Sequence, residues 1–391
     1  MVVWFGFDSQ LPGGTARSII AGRLVDTTTG QPQGPVVRLD TGDPGINSSD
    51  PTVAYNPSTQ EYLVVWCSET IGAHYELRAQ RFSASNLQPR MAQTRQITEM
   101  GGPGDSNFSA LVPKLAFNPD RNEFLVAYIG ADSRVGMSDL QRDVFVQRLD
   151  SNANEIGGDD MRISSASTPD GERLVATSSR VDVAYSTVNK NYFVVWAADD
   201  PAAGLAQNEL EIFGQLVDGA TGVPEGTDDA RLTTVGPAGS TFFLAEQPAV
   251  TAVDSNFAVV YRADTVQGFK EINGVRAGGA TGLPFGGQQR LTFTTGGNAR
   301  LPQIVLDEAS GNLVVSFQGL EVVGSNPVFE FEVFVQRASQ SLQPIGDEER
   351  WSVMGPDGSN EFGPFDTFAM TSLATSGGYY VVWSGDHDGD G

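Results

Sequence analysis

One phrase recurs along this chain. "PTVAYNPSTQEYLVVW" (51–66) is followed by "PKLAFNPDRNEFLVAY" (113–128) and "VDVAYSTVNKNYFVVW" (181–196). Weaker copies are "PAVTAVDSNFAVVY" (248–261), "PQIVLDEASGNLVVSF" (302–317) and "MTSLATSGGYYVVW" (370–383). Each copy holds two short β-rich runs separated by Asn, Asp, Pro, Ser or Gly, which is the signature of a hairpin. A shorter phrase follows: "LRAQRF" (77–82), "VFVQRL" (144–149), "IFGQLV" (212–217), "INGVRA" (272–277) and "VFVQRA" (333–338). After a turn such as "DGATGVPEG" (218–226) comes a run ending in Arg, an apolar residue and often Ser or Thr, as in "RIS" (162–164), "RLT" (231–233), "RLT" (290–292) and "RWS" (350–352). Self-similarity of this kind marks a repeat architecture. Each unit reads as four strands, A to D, without a helical period. The expected fold is therefore all-β: a β-propeller of four-stranded antiparallel blades.

The repeat units are approximately 1–40, 51–98, 113–164, 181–233, 248–292, 302–352 and 370–391, together forming a single β-propeller domain over 1–391. The first unit enters the repeat in the middle: "MVVWF" is a strand B, "IIAGRLV" (19–25) a strand C and "VVRLD" (36–40) a strand D. The last unit supplies one A and one B. An exposed sheet edge is a liability, so the expected solution is six blades, with the ring closed by N- and C-terminal strands and one strand B redundant. Seven blades, one of them incomplete, is the alternative, and a slice of a longer array the third.

Composition narrows the partners. The 391 residues carry 24 Lys and Arg against 48 Asp and Glu, a formal charge of −24, which repels nucleic acid and anionic membranes. A single cysteine, Cys67, rules out an internal disulfide. No apolar stretch approaches the roughly 20 residues that span a bilayer. "MVVWFGFDSQ" lacks the basic and apolar regions of a signal peptide, so either the chain is cytosolic or a leader and further modules lie outside this sequence.

The "AYNP…EYLVVW…QRLD" phrase resembles a repeat of large, mostly uncharacterised bacterial secreted or surface proteins predicted to form β-propellers. The resemblance covers nearly the whole chain and implies an extracellular or cell-surface setting with a binding or adhesion role. It carries no catalytic residues across, because its motifs specify a fold.

With strands alternating in direction, the B–C loops and the D-to-A crossovers share one face. An acid follows each strand B: Asp8, Glu69, Asp132, Asp199 with Asp200, Asp264, Glu321 and Asp386. Two readings compete. Either these acids solvate loop tips and pair with the recurring strand-C arginines Arg81, Arg148, Arg276 and Arg337, or they form a cation-binding face. In "GDHDGDG" (385–391), Asp386, Asp388 and Asp390 match the first half of a calcium loop, which makes Ca²⁺ the candidate cofactor. The crossovers "GPGDSNFSALV" (102–112), "GPAGSTFFLAE" (236–246) and "GPDGSNEFGPFDT" (355–367) carry Phe108, Phe242, Phe243, Phe362 and Phe365. These are either stacking platforms for sugar rings or a protein partner, or plugs between neighbouring blades.

With His74 and His387 the only histidines, a Ser-His-Asp device has almost no candidate base, and no HExxH or CxxC occurs. A Cys67–His74 pair is less economical than a small buried cysteine at a strand end. The expected function is a non-catalytic extracellular binding or adhesion module that recognises a glycan or protein ligand. The alternatives are a carbohydrate-active hydrolase or lyase using a carboxylate pair, and a structural or assembly repeat of a surface protein.

Overall fold

The computed structural model describes residues 1–8, 17–43, 47–70, 74–101, 107–138, 141–164, 180–293, 298–322, 329–354, 363–372 and 379–386. Its described residues form two compact units. One lies within Met1–Ala176, Val181–Tyr192 and Val217–Glu225, the other within Thr177–Arg180, Phe193–Leu216 and Gly226–Gly391.

In the first unit, β1 (Val2–Asp8), β2 (Arg17–Val25) and β3 (Pro32–Arg38) make a three-stranded sheet. The second sheet is β4 (Ser48–Asn56), β5 (Glu61–Glu69), β6 (Tyr75–Ser83) and β7 (Arg95–Gln96), in that order. The third is β8 (Ala110–Asn118), β9 (Glu123–Gly130), β10 (Asp143–Leu149) and β11 (Glu155–Arg162). The fourth sheet, β12 (Asp182–Ser186), β13 (Asn191–Ala198), β14 (Glu211–Asp218) and β15 (Pro224–Arg231), has strands in both units. The second unit adds β16 (Ala245–Val253), β17 (Asn256–Val266), β18 (Phe269–Gly278) and β19 (Pro284–Arg290) as the fifth sheet. The sixth sheet is β20 (Arg300–Asp307), β21 (Asn312–Val322), β22 (Phe329–Ala338) and β23 (Pro344–Arg350). β24 (Gly363–Ser372) pairs with β25 (Tyr379–Asp386). The fold is an all-β, six-bladed propeller, and strands A to D of the repeat are the successive strands of its antiparallel blades.

The A–B hairpins form where the repeat places Asn or Ser. The Asn56 side chain accepts from the Ser58 amide at 2.9 Å, and Asn118 accepts from Asp120 at 3.0 Å. Gln60 and Asn122 then take left-handed backbone at φ 55° and 56°, which turns the chain back. The C–D turns use Asp: Asp26 accepts from Thr28 and Thr29 at 2.8 Å, and Asp218 accepts from Thr221 at 2.7 Å.

Strand B is buried on both faces, which explains its unbroken "LVVW" run. Leu63, Val65 and Cys67 face one core cluster with Phe108, Phe124 and Phe145, while Val64 and Trp66 face another with Ile20, Leu39 and Phe82. In the second unit, Val260, Ile272, Leu313, Val315 and Phe317 make the equivalent cluster.

A polar lock recurs at the start of strand C. Thr98, Ser164, Thr233, Thr292 and Ser352 accept from the amides of Leu77, Val144, Ile212, Ile272 and Val333 at 2.8–2.9 Å. Each hydroxyl donates to the buried acid one residue earlier: Glu76, Asp143, Glu211, Glu271 or Glu332. In four of the five locks an Arg pairs with the same acid: Arg162, Arg231, Arg290 or Arg350. The "RIS", "RLT" and "RWS" endings are thus the strand-D half of a buried network.

Among the described side chains Arg81, Arg148 and Arg276 do not pair with the acids after strand B, contrary to one of the two readings; the side chain of Glu321, in the blade of Arg337, lies outside the described residues. Arg81 pairs with Glu61 at 2.8 Å and Arg148 with Glu123 at 2.5 Å, both at the start of strand B. Register is the reason: Arg81 lies opposite Leu63, whereas Glu69, at the far end of β5, lies opposite Tyr75. Arg276 instead covers the ring of Phe285 at 4.4 Å.

Candidate functional site

The B–C loops and crossovers carry the residues singled out above. The described acids there bond to their own loop or to the neighbouring crossover. Glu69 accepts from Asn47 Nδ2 at 2.5 Å. Asp132 caps the short 3-10 turn Ser133–Val135, accepting from the Arg134 amide at 2.8 Å, and also accepts from the Gly101 amide at 3.1 Å. Asp200 caps Pro201–Ala203 through the Ala202 amide at 2.8 Å, and Asp199 accepts from Asn208 at 2.5 Å. Asp132, Asp199, Asp200 and Asp264 are all buried. Their pattern therefore encodes loop geometry, which a linear reading cannot separate from a cation-seeking surface. Among the described residues no group of three or more His, Cys, Asp or Glu side chains is arranged to hold a metal ion. The side chains of Asp8, Glu321 and Asp386, and all of Asp388 and Asp390, lie outside the described residues.

The crossover aromatics divide into two kinds. Phe108 is 7% exposed and belongs to the core cluster of the second and third sheets, so it is a plug and not a platform. Its seat is Gly101, seven residues earlier at φ 73°, where a Cβ would lie 2.6 Å from Phe108 Cδ2. Phe243 repeats the arrangement over Gly236 at φ 73°, where a Cβ would lie 2.5 Å from Phe243 Cγ. Phe242, next to that plug, is 65% exposed. Phe362 and the side chain of Phe365 lie outside the described residues.

Asp264 joins Phe242 to a second exposed ring that the repeat pattern does not single out. The Asp264 carboxylate accepts from the Leu244 amide, at the end of the crossover, and from the Gly268 amide, at the β17–β18 tip, both at 3.1 Å. The Asp264 amide donates back to Leu244 O at 3.2 Å. Lys270 Nζ, 3.6 Å away, adds charge complementarity. The crossover and the hairpin tip are thereby held together, with Phe242 two residues before one anchor and Phe269 one residue after the other. Phe269 is 53% exposed, and Val266, its register partner at the tip, is also exposed. A tip with two exposed apolar residues beside Gly268 (φ 81°) is a visible signal in "VQGF" (266–269). What results is a pair of exposed rings on two segments bonded to one carboxylate.

No catalytic device assembles at Cys67 and His74. Cys67 is fully buried with Sγ 3.8 Å from Ala110 O, and burial pushes its thiol pKa well up. His74 is bonded to the Thr70 hydroxyl at 2.8 Å. A shallow concavity lined by Asn56, Glu61, Arg81 and Ser151 holds no ligand-sized space. Among the described residues no helix is long and apolar enough to cross a membrane.

Fold and loop end together define an all-β propeller with an exposed aromatic edge. The sequence matches no protein-family model and no curated protein. Among solved structures the chain is similar to Trypanosoma rangeli sialidase in complex with the inhibitor DANA, at 8% identity and a TM-score of 0.51. That likeness covers 92% of this chain and 55% of the sialidase chain. It is also similar to α-L-arabinofuranosidase from Lactobacillus brevis, at 13% identity over 78% of this chain and 95% of the other, with a TM-score of 0.41. A thermostable family-43 glycoside hydrolase aligns at 12% identity over 83% and 99%, with a TM-score of 0.41. Likeness at such identities speaks to fold alone.

Proposed function

We propose that this chain is a non-catalytic binding module that recognises a carbohydrate at the Phe242–Phe269 edge, outside the cell or at its surface. The observation that carries the reading is the pair of Phe side chains, 65% and 53% exposed, presented on two segments tied together by Asp264. Two exposed rings brought near one another offer apolar area to a partner, and the flat face of an aromatic ring suits the C–H face of a sugar. The engagement of Asp132, Asp199, Asp200 and Asp264 by backbone amides supports a structural role for these carboxylates, and so binding over hydrolysis. Glycoside hydrolysis needs two carboxyl groups free to face the scissile bond. The sialidase and glycosidase names of structures with a similar fold agree with a sugar ligand as an analogy. The surface setting rests on the resemblance of the repeat to bacterial surface proteins.

A glycan array followed by affinity electrophoresis tests the reading. Phe242→Ala and Phe269→Ala are each expected to weaken a retained glycan by about tenfold, the loss of roughly 1.4 kcal/mol of stacking. Both variants should keep the wild-type melting temperature. A blank array, or retention unaffected by either change, sinks the proposal. Release of sugar product, abolished by a single carboxylate-to-amide substitution, would replace it with the hydrolase.

A further inference from the structure

The lock of the second sheet departs from its siblings. Where the other complete blades have Arg162, Arg231, Arg290 and Arg350, this blade has Gln96. Each sibling Arg makes two kinds of bond: its Nε donates to the carbonyl of the lock Ser or Thr at 2.8–2.9 Å, and its Nη2 pairs with the buried acid. Gln96 reproduces the first, donating to Thr98 O at 2.9 Å, and is too short for the second. Glu76, 2% exposed, has no ion-pair partner among the described residues.

The surroundings sharpen the difference. Three consecutive amides of the crossover to the third sheet are each held by a different carboxylate. Glu99 N donates to Asp160 Oδ2 at 2.8 Å, Met100 N to Glu76 Oε1 at 2.8 Å, and Gly101 N to Asp132 at 3.1 Å. Charged and titratable groups face Glu76 from every neighbouring element. On β6 itself Arg78 is taken up by Asp43 at 3.2 Å and Gln96 at 3.3 Å. Glu69 ends β5, one residue beyond Ser68, which pairs with Glu76 in register. Glu99 follows β7. On β9, Tyr128 donates its hydroxyl to Asp160. The loop after β9 brings Asp132 and Arg134, and β11 brings Asp159 and Asp160. Arg134 is spent on Asp132 at 2.9 Å, Asp160 at 2.8 Å and Asp159 at 3.4 Å, which leaves Glu76 without a cation of its own.

We propose that this seam is a proton-operated latch, in which a neutral Glu76 clamps the crossover at residues 99–101 and an ionised Glu76 loosens it. An ionised carboxylate here is buried beside Asp160 with only the field of Arg134, already paired to three other carboxylates, to offset it, and the cheapest relief is for the crossover to lift and admit water. Burial pushes the Glu76 carboxyl up to about 8, against the Thr98 and Met100 hydrogen bonds that lower it. The folded chain thus holds a proton that the unfolded chain releases near pH 4. Stability falls as pH rises from about 4 to about 8, opposite to the behaviour of an ordinary salt-bridged acid. The latch acts independently of the aromatic edge in the fifth sheet.

Hydrogen exchange of the Glu99, Met100 and Gly101 amides, corrected for intrinsic rates, tests the latch between about pH 6 and about pH 9. In the wild type their protection is expected to fall at least about tenfold over that range, while amides of the sixth-sheet lock hold steady. Gln96→Arg, which restores the sibling lock, and Glu76→Gln, which cannot ionise, should each abolish the fall. Protection that is flat in the wild type, or that falls equally in either variant, overturns the proposal. Should neither variant fold, a ¹³C titration of the wild-type Glu76 carboxyl decides: a midpoint in the ordinary carboxylate range overturns the latch, and one well above it supports it.

Discussion

The guanidinium of Arg350 lies 2.6 Å from Glu332 Oε1, and that carboxylate, fully buried, also receives the Ser352 hydroxyl and the Met354 amide at 2.9 Å. Three donors at and just after strand D thus converge on one acid of strand C, which is how a strand D with an exposed outer face is still held firmly to its blade.

Removing one partner leaves the other buried and unpaired, so Arg350→Ala is expected to destabilise the protein by about 3 kcal/mol. Glu332→Gln combined with Arg350→Gln should recover more than half of that loss, because no bare charge remains. Urea unfolding of Arg350→Gln, Glu332→Gln and their double measures the coupling. Additive losses would show that the pair does not act as a unit.

The C–D turns respond to acid in the ordinary direction. Hydrogen bonds from the Thr221 side chain and amide hold the Asp218 carboxyl below its usual range, and the amides of Thr29 and Thr28 do the same for Asp26. A depressed acid contributes stability above its unfolded value of about 3.9 and loses it as pH falls through the folded value. The urea midpoint should therefore drop between about pH 5 and pH 3, and Asp218→Asn should drop less over the same interval. An identical drop in the variant would remove Asp218 from the account.

Cys67 reports on the core between the second and third sheets. Fully buried and with its thiol held protonated, it should react with a disulfide reagent only as the protein unfolds, so that labelling follows the urea transition. Rapid labelling of the native protein would contradict this packing.

Much of the architecture is legible in the order of residues because blade strands announce themselves locally. The "LVVW" run, apolar at successive positions, reports a strand covered on both faces, and the Asn, Asp and Gly of the turns report where the chain reverses. The loop end is less legible. Phe108 and Phe242 look alike in sequence, yet one is a plug and the other stands in solvent. The difference rests on whether a positive-φ glycine seven residues back folds beneath the ring, as Gly101 does for Phe108. Phe269 lies outside the repeat pattern, and only the two apolar residues flanking Gln267 and Gly268 in "VQGF" (266–269) mark it in the sequence.

The sequence by itself determined the β-propeller class, the four-strand unit and the places of its turns, because these follow from side-chain alternation and backbone preference within a few residues. Only the tertiary structure decided the partners of the charges. Arg81 meets Glu61 because antiparallel register sets the end of strand C beside the start of strand B, and Glu76 has no ion-pair partner among the described residues because strand D brings Gln96, not Arg, to its side. Pairing between strands depends on register, and register is summed over the whole blade.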